Sequence, residues 1–126
     1  MRPETLAKVA QLAAQGDCFD RCLSNFLDGF YANPTLAALT ETPIFLAPLF
    51  GDIGCVQDCY LAAVSDEVAH AKGFRVRAWT GAENRVLHRP WFASPLAALR
   101  ATLLLESPRG FRSRNLFVSE NALSRE

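Results

Sequence analysis

Cys18-x-x-x-Cys22 and Cys55-x-x-x-Cys59 are the residues of this chain whose types and spacing could do the most chemistry. Residues four apart share one face of a helix. Two helices carrying such pairs could offer four thiolates to a tetrahedral zinc, or join through disulfides. Two considerations weigh against that reading. Both pairs fall on apolar helical stripes, where a free cysteine behaves as a small hydrophobe. Structural zinc sites also favour Cys-x-x-Cys knuckles in loops. The expectation is therefore buried reduced thiols with no metal site and no cofactor, and a metal or redox protein stays open as an alternative.

The only histidines are His70 and His88. His70 falls near the end of a long helical pattern, where an imidazolium suits the C-terminal dipole, and Asp66 lies four residues before it. Neither histidine has a nucleophile assigned to it by spacing, and His88 stands before Pro90-Trp91-Phe92. Asp66-Glu67 are adjacent carboxylates that point in different directions on a helix, which reads as a solvated face rather than an acid/base pair. His-Glu-x-x-His, a phosphate-binding glycine loop and Gly-x-Ser-x-Gly are all missing from the sequence. No catalytic residue is assigned, and the chain leans away from being an enzyme.

The arginines are different in kind. Residues 1–74 carry four basic against nine acidic side chains, net −5, and residues 75–126 carry nine arginines against four glutamates, net +5. Three of those arginines, Arg109, Arg112 and Arg114, stand within Ser107–Phe117, beside Phe111 and Phe117. Guanidinium forks recognise carboxylate or phosphate bidentately. Such a cluster either meets a partner or fastens this segment to the acidic first half, since buried charges must be matched. If it faces outward, Arg109, Arg112 and Arg114 are the expected partner contacts, with Trp91 and Phe92 as aromatic anchors. Overall neutrality counts against nonspecific nucleic-acid binding, which draws on a broad positive excess. A nucleic-acid-binding regulator using the same arginines remains the other alternative.

These residues must be positioned by helices. At 126 residues and 50% hydrophobic, the chain is long enough for one domain with one core. Leu6, Val9, Ala10, Leu12 and Ala13 keep helical spacing up to Gly16, which suits a C-terminal cap. Asp17 is placed to cap a second helix with the stripe Phe19, Cys22, Leu23, Phe26, Leu27 and Phe30, which must stop near Asn33 before Pro34. A short turn is expected through Leu36–Leu39. Thr40–Gly54, with Pro43, Pro48, Gly51 and Gly54, reads as an apolar loop packed on the core. The longest helix is expected from about Cys55 to Lys72, with Gly73 just past its end. Ser94-Pro95 opens a further helix with Leu96, Leu99, Leu103 and Leu104 facing inward, Ser107-Pro108 a short one, and Ser119 caps a last turn through Leu123. Leu116-Phe117-Val118 reads as an extended docking segment, and no strand pair with a hairpin turn is expected. The fold class expected is all-α: a compact single-domain bundle of about five helices, residues 1–126, with an irregular C-terminal tail. The longest uncharged apolar run, around Thr42–Phe50, is too short to span a bilayer. With no signal-peptide pattern at the N-terminus, a cytoplasmic protein is expected.

Several of these words resemble a family of short, uncharacterised bacterial proteins. They are Arg77-Ala78-Trp79-Thr80, Arg89-Pro90-Trp91-Phe92, Leu99-Arg100-Ala101-Thr102 and Glu106-Ser107-Pro108-x-x-Phe111-Arg112-x-Arg114-Asn115-Leu116-Phe117-Val118. Phe26-Leu27-Asp28-x-Phe30-Tyr31 and Asp58-x-Tyr60-Leu61-Ala62-Ala63-Val64 are similar too. The resemblance transfers no catalytic residue. Through an association with nucleotidyltransferase toxins it implies an antitoxin or accessory role, with a toxin encoded nearby as the partner. The leading expectation is thus a small non-catalytic protein-binding module.

Overall fold

In a computed structural model describing residues 3–93 and 106–118, the expected closing glycines, Gly16 and Gly73, stand just past the first and the longest helix, the latter starting at Asp52, three residues before the expected Cys55. Helix α1 (Leu6–Ala14) starts at Thr5, whose hydroxyl oxygen accepts from the Lys8 N–H at 3.0 Å. It closes through Gly16 at φ +107°, where Gly16 N–H donates to the Ala13 carbonyl and Asp17 N–H to the Leu12 carbonyl, both at 3.1 Å. That pair of bonds satisfies the last carbonyls and needs a left-handed residue, which glycine adopts without a Cβ penalty. Asp17 gives its N–H to this closure, and the residue at the start of α2 (Phe19–Ala32) is Cys18, which makes no side-chain capping bond, instead of the expected aspartate. Leu6, Val9 and Ala10 of α1 meet Leu23, Phe26, Leu27 and Phe30 of α2 in one buried cluster. The rings of Phe26 and Phe30 stack with centroids 5.7 Å apart.

Two single turns, α3 (Ala37–Thr40) and α4 (Ala47–Phe50), lead into the long helix α5 (Asp52–Ala71). Every residue from Leu61 to Ser65 on α5 is buried, so the helix is enclosed all round and serves as the spindle of the domain. Its C-terminus repeats the closure of α1: Gly73 has φ +74°, and Phe74 N–H donates to the Ala69 carbonyl at 2.8 Å.

After α5 the chain is held by short elements. Two 3-10 turns cover Ala78–Gly81 and Glu83–Arg85, and α6 covers Arg109–Arg112. Strands β1 (Trp91–Phe92) and β2 (Leu116–Phe117) pair in parallel, Trp91 opposite Leu116 and Phe92 opposite Phe117. This small pair was not expected from the sequence, because two residues show no alternation and a parallel pair carries no hairpin turn. The domain is otherwise mostly helical, as the patterning required. The helix expected from Ser94 and the turn expected at Ser119–Leu123 lie outside the described residues.

Candidate docking surface

Two polar fastenings grip opposite ends of α5, and each uses an arginine from the basic half of the chain. The first is built from Gly54, Asp58 and Arg85. Gly54 and Asp58 lie one turn apart on α5, so they face the same way. A Cβ on Gly54 would sit 2.3 Å from the Leu46 carbonyl oxygen, so only glycine lets that backbone lie against the helix. The Asp58 carboxylate then accepts from Leu46 N–H at 2.6 Å and Ala47 N–H at 3.1 Å. The start of α4 is pinned to α5 in this way.

Arg85 is completely buried. Its guanidinium donates to the Pro43 carbonyl at 2.7 Å and the Asp58 carbonyl at 3.2 Å, and lies 4.0 Å from the Asp58 carboxylate. The Phe45 and Trp79 rings face it at 4.2 and 5.0 Å, and Trp79 in turn donates its indole N–H to the Leu39 carbonyl at 2.9 Å. Burial pushes the Asp58 carboxyl above its ordinary range, against the pull of the two N–H donors and Arg85. Burial also lowers Arg85, against the pull of Asp58. Desolvation thus outweighs attraction on both sides, so the pair fixes geometry more than it adds stability.

The second fastening takes in the C-terminal tail. Arg114 donates to the Asp66 carboxylate at 2.7 Å and to the Gly110 and Thr80 carbonyls at 2.8 and 2.9 Å. Glu67 accepts from Gly110 N–H at 2.5 Å, and a Cβ on Gly110 would stand 2.8 Å from that same carboxylate oxygen. The Ser107 hydroxyl donates to the Val118 carbonyl and accepts from Val118 N–H, at 3.0 and 2.8 Å. Asn115, at φ +63°, donates its amide to the Leu87 carbonyl at 2.7 Å. Phe111 is fully buried, its ring edge-on to Tyr60 at 4.9 Å.

This geometry revises several sequence expectations. Asp66 and Glu67 are not a solvated face; each holds a different part of the tail. Arg114 is buried against Asp66 and does not face outward, because its fork is filled by carbonyls and a carboxylate of its own chain. Arg109 and Arg112 are exposed on α6, so the structure separates the three arginines instead of grouping them. Trp91 and Phe92 are half-buried in the β1–β2 pair, with Phe92 stacked on Phe117 at 5.1 Å. Each cysteine pair is likewise divided: Cys22 and Cys59 are buried, Cys18 and Cys55 exposed, and all four are free thiols. Burial pushes the Cys59 thiol up to about 12, with Asp58 adding to the rise. No group of three or more metal-ligating side chains occurs among the described residues. Both histidines are exposed.

The apolar loop also differs from expectation. Pro43 and Leu46 are buried, but Ile44, Leu49, Phe50 and Ile53 are 51, 57, 42 and 68% exposed. A run of apolar residues without polar alternation gives no sign of which members face outward. Here the pinned Leu46 backbone decides it, turning α4 and the start of α5 into an elbow with apolar side chains on its outside. Beside the elbow runs an open groove of about 980 Å³, lined by Phe45, Pro48, Cys55, Val86, Leu87 and His88 among others.

No protein-family model, curated protein or solved structure matches the chain. The resemblance of the tail to short bacterial proteins therefore rests on its sequence words alone. Structurally, the word from Ser107 to Val118 belongs to the second fastening.

Proposed function

We propose that the chain is a non-catalytic helical module that binds a protein partner through the α4–α5 elbow. The observation that carries this reading is the set of four large apolar side chains, Ile44, Leu49, Phe50 and Ile53, displayed within ten residues by a rigidly held turn. Isolated exposed hydrophobes are ordinary, whereas a cluster is characteristic of interaction sites. Rigidity supports the same reading, because a surface held in place by Asp58 and Arg85 loses little freedom on binding. An antitoxin or accessory role, as the family resemblance implies, is one that such a module would fill.

The test is capture of a partner encoded beside this chain, with wild-type protein and with a Leu49→Ser/Ile53→Ser variant. Both changes sit on exposed side chains and leave the fold intact, to be checked by circular dichroism. Loss of capture in the variant is expected. Equal capture by both proteins, or none by the wild type, overturns the reading.

A further inference from the structure

The groove beside the elbow takes Cys55, Asp58 and Cys59 from α5. Asp52, Ile53, Val56, Gln57 and Tyr60 recur at helical spacing on another face of that helix and form one wall of a separate, open cleft of about 710 Å³. The 19–27 stretch of α2 supplies the other wall, and Trp91 also lines it. The Phe19 and Tyr60 rings meet edge to face with centroids 6.4 Å apart. Burial, and after it the Asp20 carboxylate, push the Tyr60 phenol upward, so Asp20 stands at the Tyr60 end of the cleft. Asp52 starts α5 eight residues before Tyr60, about 12 Å back along the axis at a rise of 1.5 Å per residue. The cleft thus has an exposed carboxylate at each end. Neither makes an ion pair or a side-chain hydrogen bond among the described residues, and none of the described lining residues is a lysine, arginine or histidine. Gln57 lies between Asp52 and Tyr60 on α5, and its carbonyl oxygen Oε1 is buried with no hydrogen-bond partner among the described residues.

We propose that this cleft between α2 and α5 binds a linear aliphatic polyamine. The terminal ammonium groups would meet Asp20 and Asp52, and the methylenes would lie along Leu23, Leu27 and Val56. The rings of Tyr60 and Trp91 suit the same positive charge. An inner nitrogen would donate to Gln57 Oε1, which a turn about the soft last torsion of that side chain brings to the cleft. A buried acceptor left without a donor is costly, so such a contact adds to binding more than an exposed one does. An anion would be repelled at both ends, and a monoamine would engage only one of them. The site stands apart from the protein-binding reading: it faces another way along α5, and only Ile53 belongs to both the elbow and the cleft.

Calorimetric titration of the full chain with spermidine, whose extended length is comparable to the carboxylate spacing, tests this beside octylamine, which has a single ammonium group. Spermidine is expected to bind at one site, and octylamine at least about tenfold more weakly. Asp20→Asn/Asp52→Asn is expected to weaken spermidine about tenfold, since two exposed charge pairs are lost. Glu41→Gln/Glu83→Gln removes two exposed carboxylates outside the cleft and is expected to leave binding unchanged. Ser24→Trp, which fills the cleft from the α2 wall and keeps both aspartates, is expected to abolish it, with circular dichroism checking the fold. No binding of spermidine, or equal binding of octylamine, overturns the proposal. So does an equal loss in the two carboxylate variants, which would mean attraction to overall negative charge, or binding that survives Ser24→Trp in folded protein.

Discussion

Arg85 and Cys59 show what burial does to single residues here. Replacing Arg85 with methionine removes the donors to Pro43 and Asp58 and leaves the Asp58 carboxylate buried without its counter-charge. A loss of about 3–5 kcal/mol is expected in urea unfolding, as for breaking one side of a buried pair. Arg85 was not legible in the sequence, because arginine is ordinarily exposed. Its partners come from Pro43, Asp58 and the Phe45 and Trp79 rings, scattered over three segments that only the fold brings together. The cysteines behave differently from one another. Cys18 and Cys55 are expected to react quickly with a disulfide reagent in native protein, and Cys22 and Cys59 only after unfolding, giving two fast thiols and two slow ones. Four equally fast thiols would contradict this placement. The Cys59 thiol, raised to about 12 from an ordinary value of 9.0, favours the folded state while it is protonated. That contribution is fully present below pH 9 and is lost as pH rises towards about 12, with half-buried Tyr60 adding in the same direction. Alkaline titration of the unfolding midpoint checks the sign.

At the scale of elements, the decisive contacts are two close approaches to α5, and both depend on glycine. Gly54→Ala would force the Leu46 carbonyl away from the helix and draw Leu46 and Ala47 N–H out of reach of Asp58. Faster hydrogen exchange at those two amides is expected, together with a loss of about 1–3 kcal/mol from overpacking. Protection equal to that of the wild type would show that α4 is held by something else. Gly110→Ala presses instead on the flexible Glu67 side chain as well as the Ala63 carbonyl, so a smaller loss is expected. The long helices were readable in the sequence because their apolar period and their closing glycines, Gly16 and Gly73, agree. The short elements were not, since four residues at Ala47–Phe50 or two at Trp91–Phe92 are too few to show a period. The elbow itself was hidden for the same reason. Its apolar run read as core, and only the Asp58 contact reveals that half of it faces outward.

Over the whole molecule, the net −5 and net +5 halves named from composition meet, among the described residues, in two ion pairs, Arg85 with Asp58 fully buried and Arg114 with Asp66 partly so. Arg114→Lys keeps the charge but cannot reproduce the fork that reaches Asp66, Gly110 and Thr80 together, so a loss of about 1–3 kcal/mol is expected despite conserved charge. By contrast Arg109→Ser and Arg112→Ser are expected to change stability by no more than about 0.5 kcal/mol, because both side chains are exposed. Thermal melts of the three variants separate the structural arginine from the surface ones. The second fastening also bears on how the chain is made. Glu67 and Gly110 lie 43 residues apart, and Asp66 and Arg114 lie 48 apart. During synthesis the spindle helix therefore leaves the ribosome well before the segment that covers it, with its slot for Phe111 open to water. A nascent chain stalled before Ser107 would display that slot to chaperones, and the completed chain would withdraw it.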